Sequence, residues 1–287
     1  MDYLNRLNQA LDYIEKNLDG DIDLKKAASL ACCSVAYFQR VFSFIADMPL
    51  SEYIRRRRMT KAAFELKNSG IKVIDLALKY GYDSPDSFSR AFQSVHGILP
   101  SLARSEGVTV KAFPRIAFLI SIKGDVEMNY RIEQKEAFRI VGVKRHYKGP
   151  ENDESVVPVF WNELYSNGTV EVLNNLSSGI PGGVHGFIQA SADEKVDYTI
   201  ACITDKEPPA GMESYIVPKA TWAIFEIDGP VHKTMATAWK RIFTEWLPTS
   251  NYSYAETVDI ECFPNGENKG SEDYKYEIWL PVKEKDK

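Results

Sequence analysis

Arg40 and Arg90 stand fifty residues apart in the same local setting, Phe38-Gln39-Arg40-Val41-Phe42 and Phe88-Ser89-Arg90-Ala91-Phe92. A guanidinium offers a rigid fork of donors that fits the O6 and N7 of guanine, and a glutamine such as Gln39 fits adenine. For either arginine the alternative is a phosphate contact, which sets affinity and register without reading sequence. The chemistry that these side chains can do is therefore hydrogen bonding to base edges, provided that a helix holds them clear of the core.

The spacing supplies such helices. Phe88, Ala91, Phe92 and Val95 recur at i, i+3, i+4 and i+7, so Asp86, Arg90 and Gln93 lie on the opposite side. Ser84-Pro85 starts this helix, with Ser84 as N-cap and Pro85 at the first helical position. Before it, Val73, Leu76, Ala77 and Tyr80 mark a supporting helix that Gly81 ends in the left-handed region. That is a helix-turn-helix over Lys72–Pro100. The same pattern precedes it by 50 residues: Ala27 matches Ala77, Ser34 matches Ser84, and Leu24 and Ile45 match Ile74 and Val95. In this first copy Ala36, Gln39, Arg40 and Ser43 occupy the face away from Phe38, Val41 and Phe42. Two recognition helices on one chain suit double-stranded DNA, entering successive major grooves about 34 Å apart at a bipartite site.

Leu4, Leu7, Leu11, Ile14 and Leu18 predict an amphipathic helix that packs on the first copy. A longer helix, Ser51 to Asn68, joins the copies and buries Ile54, Met59, Ala62, Ala63 and Leu66. Arg55–Arg58 sweep most of the way round it at 100° per residue, so they do not all meet DNA together. One or two are expected to reach phosphate or anchor the copies, and the rest to pair with Glu52 or stay solvated.

The whole chain carries a net charge of −5, which argues against a nucleic-acid partner until it is divided. Residues 1–106 hold 15 Lys/Arg against 13 Asp/Glu, and the remainder holds 20 against 27. The positive balance sits with the paired helices, and the acidic remainder suits a cationic ligand or simple solubility. No apolar run is long enough for a membrane span, and the N-terminus lacks a leader pattern, so a cytoplasmic protein with no membrane partner is expected. Cys32 and Cys33 are adjacent in the turn of the first copy, where they read as small fillers or, less simply, an oxidant sensor. Cys202 and Cys262 are isolated, and His96, His146, His185 and His232 are scattered. No metal or cofactor is implied.

Beyond Arg104 the pattern changes from helical to alternating. Strands are predicted at Tyr130–Gln134, Phe138–Tyr147, Val184–Gln189, Tyr198–Thr204, Ser214–Val217, Trp222–Asp228, Val258–Phe263 and Tyr274–Val282. Helices at Val157–Ser166 and His232–Trp246 interrupt them. Each helix follows a strand and a Gly-Pro pair, Gly149-Pro150 and Gly229-Pro230, and two strands follow each. The fold class is thus α + β: an all-α tandem helix-turn-helix domain, then an antiparallel sheet built from two pseudo-twofold strand-helix-strand units.

Residues 1–106, and most specifically Asp75–Pro100, resemble the DNA-binding domain of AraC/XylS-type transcription regulators, with units at about 24–45 and 72–95. One departure is Asp47, where the family has a glycine; Asp tolerates the left-handed region better than most residues. The resemblance adds Tyr37, Ser87 and Ser89 to the groove-contact positions already named, Ala36 and Asp86 among them. After a linker at 107–126, residues 127–284 resemble the GyrI-like effector-binding domain of Rob-type regulators. AFRIVGVKRHYKGP, the Gly-Pro helix around Trp239, DIECFPNG and YEIWLPV carry that likeness. It implies a cleft lined by aromatics around an acidic residue, Glu261, that takes amphipathic or cationic molecules. Tyr147, Trp161, Phe187, Trp222 and Trp279 are the candidate lining, although aromatics at such spacing are more often core. Glu277 shares a strand face with Trp279. The expected function is a ligand-tuned transcription activator with RNA polymerase as a further partner, and not an enzyme. The alternatives are a small-molecule hydrolase with Glu261 as general base, or a protein-binding module.

Overall fold

The structure, a computed structural model, describes residues 3–118, 127–147, 156–190, 196–264 and 269–285. The Gly149-Pro150 pair and the end of the predicted linker lie outside these. The chain forms two compact units, Met1–Phe38 with Met48–Leu119 and Gln39–Asp47 with Ile120–Lys287.

Helices α1 (Tyr3–Lys16), α2 (Leu24–Leu30), α4 (Leu50–Asn68), α5 (Val73–Lys79) and α6 (Pro85–His96) belong to the first unit. Helix α3 (Val35–Ala46) starts in it and ends in the second. Two of these helices have a side-chain cap at the N-terminus. Asp23 accepts from the Lys25 and Lys26 amides to cap α2, and Ser84 Oγ accepts from the Ser87 amide at 3.1 Å to cap α6. Gly97 ends α6 at φ 80°, Gly81 ends α5 at φ 75°, and Asp47 takes φ 52° where a glycine was expected. The apolar stripes of α4, α5 and α6 meet in one core of Met59, Ala62, Ala63, Leu66, Leu76, Ala77, Tyr80, Phe88, Phe92 and Val95. Among the described residues no single helix is long and apolar enough to cross a membrane.

All four arginines of α4 are engaged inside the protein. Arg55 and Arg56 share Glu52, and Arg57 pairs with Glu15 at 2.7 Å while donating to the Phe113 carbonyl at 2.6 Å. Arg58 donates to the carbonyls of Leu18 and Gly20, at 3.0 and 2.6 Å, and its guanidinium lies against Gly81. They tie α1 and the turns to the connecting helix.

The second unit is one antiparallel sheet: β1 (Tyr130–Lys135), β2 (Phe138–Tyr147), β3 (Val184–Ala190), β4 (Val196–Ile203), β5 (Glu213–Val217), β6 (Ala220–Asp228), β7 (Tyr252–Tyr254), β8 (Val258–Cys262) and β9 (Lys275–Glu284). Its order is β1-β6-β9-β8-β3-β4-β2-β5, with β7 added on β9. A pseudo-twofold axis between β8 and β3 exchanges β8 with β3, β9 with β4, β6 with β2 and β1 with β5. The first strand of each half thus pairs in the other half, β1 with β6 and β5 with β2, which interlocks the halves. Helix α7 (Val156–Ser166) precedes β3 as α9 (Val231–Arg241) precedes β8, and α9 continues through a π-helical turn, Ile242–Trp246. The elements that were not predicted include α8 (Thr169–Leu176) and β7. Asn167 and Gly168 separate α8 from α7, and Gly168 takes the left-handed region at φ 81°.

Ser84 supplies the one side-chain acceptor at the N-terminus of α6. Ser84→Ala should lower stability by about 1 kcal/mol, read as a shift in the urea midpoint of helical circular dichroism on the full chain.

Candidate functional site

Glu261 sits on β8, beside the pseudo-twofold axis, with strands on both sides. Alternation along β8 points Asp259 and Glu261 to one face, where Tyr198 of β4 also projects, and points Val258, Ile260 and Cys262 to the other. Glu261 is 8 % exposed, so an ionised carboxylate there needs donors in place of water. Tyr198 Oη donates to its Oε2 at 2.7 Å and Trp239 Nε1 to its Oε1 at 3.1 Å. Tyr198 Oη in turn accepts from Trp161 Nε1 at 3.1 Å. Gly186, opposite Glu261 on β3, makes room for this. A Cβ there would stand 2.1 Å from Tyr198 Oη and 3.2 Å from Glu261 Oε2.

Burial pushes the carboxyl of Glu261 above the ordinary range; the bonds from Tyr198 and Trp239 and the charge of Arg40 oppose this without cancelling it. Asp259 is also raised by burial against the pull of Arg40. Rings gather beside the carboxylate. Trp161 meets Phe263 edge-on at 5.6 Å, Trp161 lies 5.9 Å from Tyr165, and Phe263 lies 6.0 Å from Tyr276. A buried carboxylate among aromatic faces can hold a lipophilic cation by charge and by ring quadrupole together.

Among the described residues, Arg40 and Lys269 border this site. Within the second unit Arg40 forms a buried ion pair with Asp259, and its guanidinium lies 4.6 Å over Trp239 and 5.5 Å over Phe44. Phe44 stacks on Trp239 at 5.7 Å and on Phe243 at 5.9 Å. Lys269 places its Nζ 3.9 Å over Trp161 and 4.0 Å over Phe263.

Of the expected ligand residues, Tyr147, Trp161 and Glu261 share this face, Tyr147 through the pairing of β2 with β4. Phe187, Trp222, Glu277 and Trp279 do not. Register sets Phe187 and Trp279 opposite Ile260, one residue away from Glu261, so they project to the other face. There Phe187, Trp222 and Trp279 join the core of Ile140, Ile224 and Ile260, while Glu277 accepts from Trp279 Nε1 at 2.7 Å and pairs with Arg131 at 2.8 Å. Tyr198, Trp239, Asp259 and Lys269 escaped the sequence reading. The matching tryptophans of α7 and α9 were the signal that pointed to Trp239.

Of the expected DNA residues, Asp86, Arg90 and Gln93 are exposed on α6, with Ser87 and Ser89 half-buried. Ser87 is also part of the cap, donating from Oγ to the Ser84 carbonyl at 2.9 Å. On α3, Ala36, Tyr37, Arg40 and Ser43 are buried and Gln39 is half-buried.

The raised carboxyl of Glu261 has a stability consequence. Its folded pKa lies above the unfolded value of about 4.3, so the stability it contributes is full below that value and is lost as pH rises through the folded pKa. Glu261→Gln should therefore be more resistant to denaturant than the wild type at pH 8, with the difference shrinking toward pH 4. Equal midpoints at both pH values would show that burial does not strain this carboxylate.

Residues 128–283 match the model of the GyrI-like small molecule binding domain, and residues 27–106 match that of a helix-turn-helix domain. The HTH-type transcriptional activator AarP of Providencia stuartii is 45% identical over 98 residues, which are 34% of this chain and 73% of that protein. The right origin-binding protein of Escherichia coli is 33% identical over 104 residues, 36% of each chain. Among solved structures, SAV2435 bound to tetraphenylphosphonium shares the fold of the C-terminal half. The TM-score is 0.50 and identity 24%, over 54% of this chain and 94% of that one. The chain therefore belongs to the GyrI-like small-molecule-binding family, joined here to the helix-turn-helix unit of AraC/XylS-type transcription regulators.

Proposed function

We propose that this regulator is an activator switched by an amphipathic cation held against Glu261. The observation that carries the reading is the carboxylate itself: buried, tied by Tyr198 and Trp239, and bordered by aromatic faces. That SAV2435 was solved with tetraphenylphosphonium, and that AarP is an activator, support it. Both carboxylate oxygens already accept a donor, which suits charge recognition better than activation of water, so the hydrolase reading has less support. Tetraphenylphosphonium should bind with heat detectable by calorimetry, and Glu261→Gln should weaken it by at least about tenfold. Turnover of reactive esters that disappears with Glu261 would favour the hydrolase instead.

The DNA side of the proposal is a bipartite site on double-stranded DNA, read by α3 and α6 in successive major grooves, with RNA polymerase as the further partner. Arg90 is exposed and ready. Arg40 is held by Asp259 and has to leave it before reading a base. A cation taken up near Glu261 and Asp259 competes for the same negative field, which loosens Arg40 and links the two sites. Fluorescence anisotropy on the DNA upstream of the gene, against shuffled DNA, tests this. Arg90→Ala should cost about 1–3 kcal/mol of preference while leaving most of the salt slope. Asp259→Asn should give DNA binding that tetraphenylphosphonium no longer changes. If wild type fails to distinguish the two DNAs, the paired helices do not read sequence.

A further inference from the structure

Lys269 follows β8, and its carbonyl accepts the Val231 amide at 3.0 Å, so its backbone is fixed to the start of α9. Its side chain enters the corner made by two perpendicular rings. Nζ stands 3.9 Å from the centre of Trp161, 4.0 Å from that of Phe263 and 5.7 Å from that of Tyr165. Trp161 is the ring whose N–H leads through Tyr198 to Glu261. Among the described residues no carboxylate lies within ion-pair distance of Nζ. The ammonium is held by ring faces, with Glu261 acting on it as a more distant charge. The chain has thus placed one of its own cations where the site would hold a cationic ligand.

We propose that Lys269 is a resident competitor for the aromatic cage, so that a ligand binds only by displacing its ammonium, and Lys269 thereby sets which cations the protein answers to. The inference rests on the cationic-ligand reading above. A tethered group has an effective concentration of roughly millimolar or more. A small hydrophilic cation gains nothing from the cage that Lys269 does not already gain, and is turned away. A bulky cation with apolar surface gains the burial of that surface as well, and wins.

Protonation gives a handle on the competition. Burial pulls the Lys269 ammonium down to about 8, although Glu261 opposes this. Below that pH the lysine is charged and competes; above it the lysine is neutral and the cage accepts a foreign cation more readily. The other groups near it stay constant or are common to wild type and variant. His185 is held down to about 4 by burial and is neutral from pH 7 to 9. Tyr165, Tyr198, Tyr274 and Tyr276 are all raised by burial. Glu261 feels the Lys269 charge from a distance, and Lys269→Arg keeps that charge while Lys269→Met removes it, so the two variants together separate this effect from the competition.

The test compares full-length wild type, Lys269→Met and Lys269→Arg, titrated calorimetrically with tetraphenylphosphonium at pH 7 and pH 9. Lys269→Met should bind about tenfold tighter than wild type at pH 7, the scale of one desolvated cation–π contact. Wild type should approach it at pH 9, and Lys269→Arg should stay weak at both. In proton NMR the Lys269 side-chain resonances should be shifted upfield by the rings in the free protein and return to ordinary values at saturation. Equal or weaker binding by Lys269→Met, or the absence of the upfield shift, overturns the competition even if the ligand binds. An upfield shift with no binding by any of the three proteins overturns the cationic-ligand reading, and the competition falls with it.

Discussion

The C-terminal unit is arranged around one unfavourable act, taking the carboxylate of Glu261 out of water. An isolated buried charge is costly, and proteins answer it with donors, counter-charges or protonation. Here the donors come first: a phenol from β4 and an indole from α9 replace the water shell, and Gly186 is small so that the phenol can arrive. They do not fully compensate, since the carboxyl remains raised. The unmet part of the charge is what a ligand can use, because a cation placed there recovers electrostatic energy that the free protein lacks. Stability is given up at the point where recognition is gained.

The N-terminal unit shows the reverse use of charge. Of Arg55, Arg56, Arg57 and Arg58, one or two were expected to reach phosphate or anchor the copies and the rest to pair with Glu52 or stay solvated; each finds a carboxylate or carbonyl within the protein, Glu52 for Arg55 and Arg56. Their work is positional, tying α1 and the inter-helix turns to α4. On the polar face of α6, Arg90 is exposed, and among the described residues no ion pair engages it. Exposure there and internal pairing in α4 are two outcomes for the same residue type, decided by what lies within reach.

The helical unit was legible where its boundaries carry a local signature. Ser84, Pro85, Gly81 and Gly97 stop and start helices by backbone preference alone, and the 3.6-residue period names the core. The strands were legible for the same reason at period two. What period two does not contain is register. The sequence places Glu277 and Trp279 on one face of their strand, but only the pairing of Trp279 with Ile260 shows that this face is turned away from Glu261. Tyr198 was missed for the converse reason, since its approach to Glu261 depends on two successive strand pairings and on Gly186 between them. Short elements such as α8 and β7 carry too few periods to announce themselves.

The duplication explains why the site is single. α7 and α9 are equivalent under the pseudo-twofold axis, and each carries a tryptophan whose N–H points inward, Trp161 to Tyr198 and Trp239 to Glu261. A symmetric pair of halves would present two acidic sites or none. This sequence breaks the symmetry by placing carboxylates on β8 and none on β3, and both tryptophans serve Glu261, one directly and one through a phenol. The protein's own cations then approach on different sides. Arg40 lies over the Trp239 of the second half, and Lys269 lies over the Trp161 of the first. The field of the one carboxylate, Glu261, reaches both, so a single negative charge joins the two sides of the site.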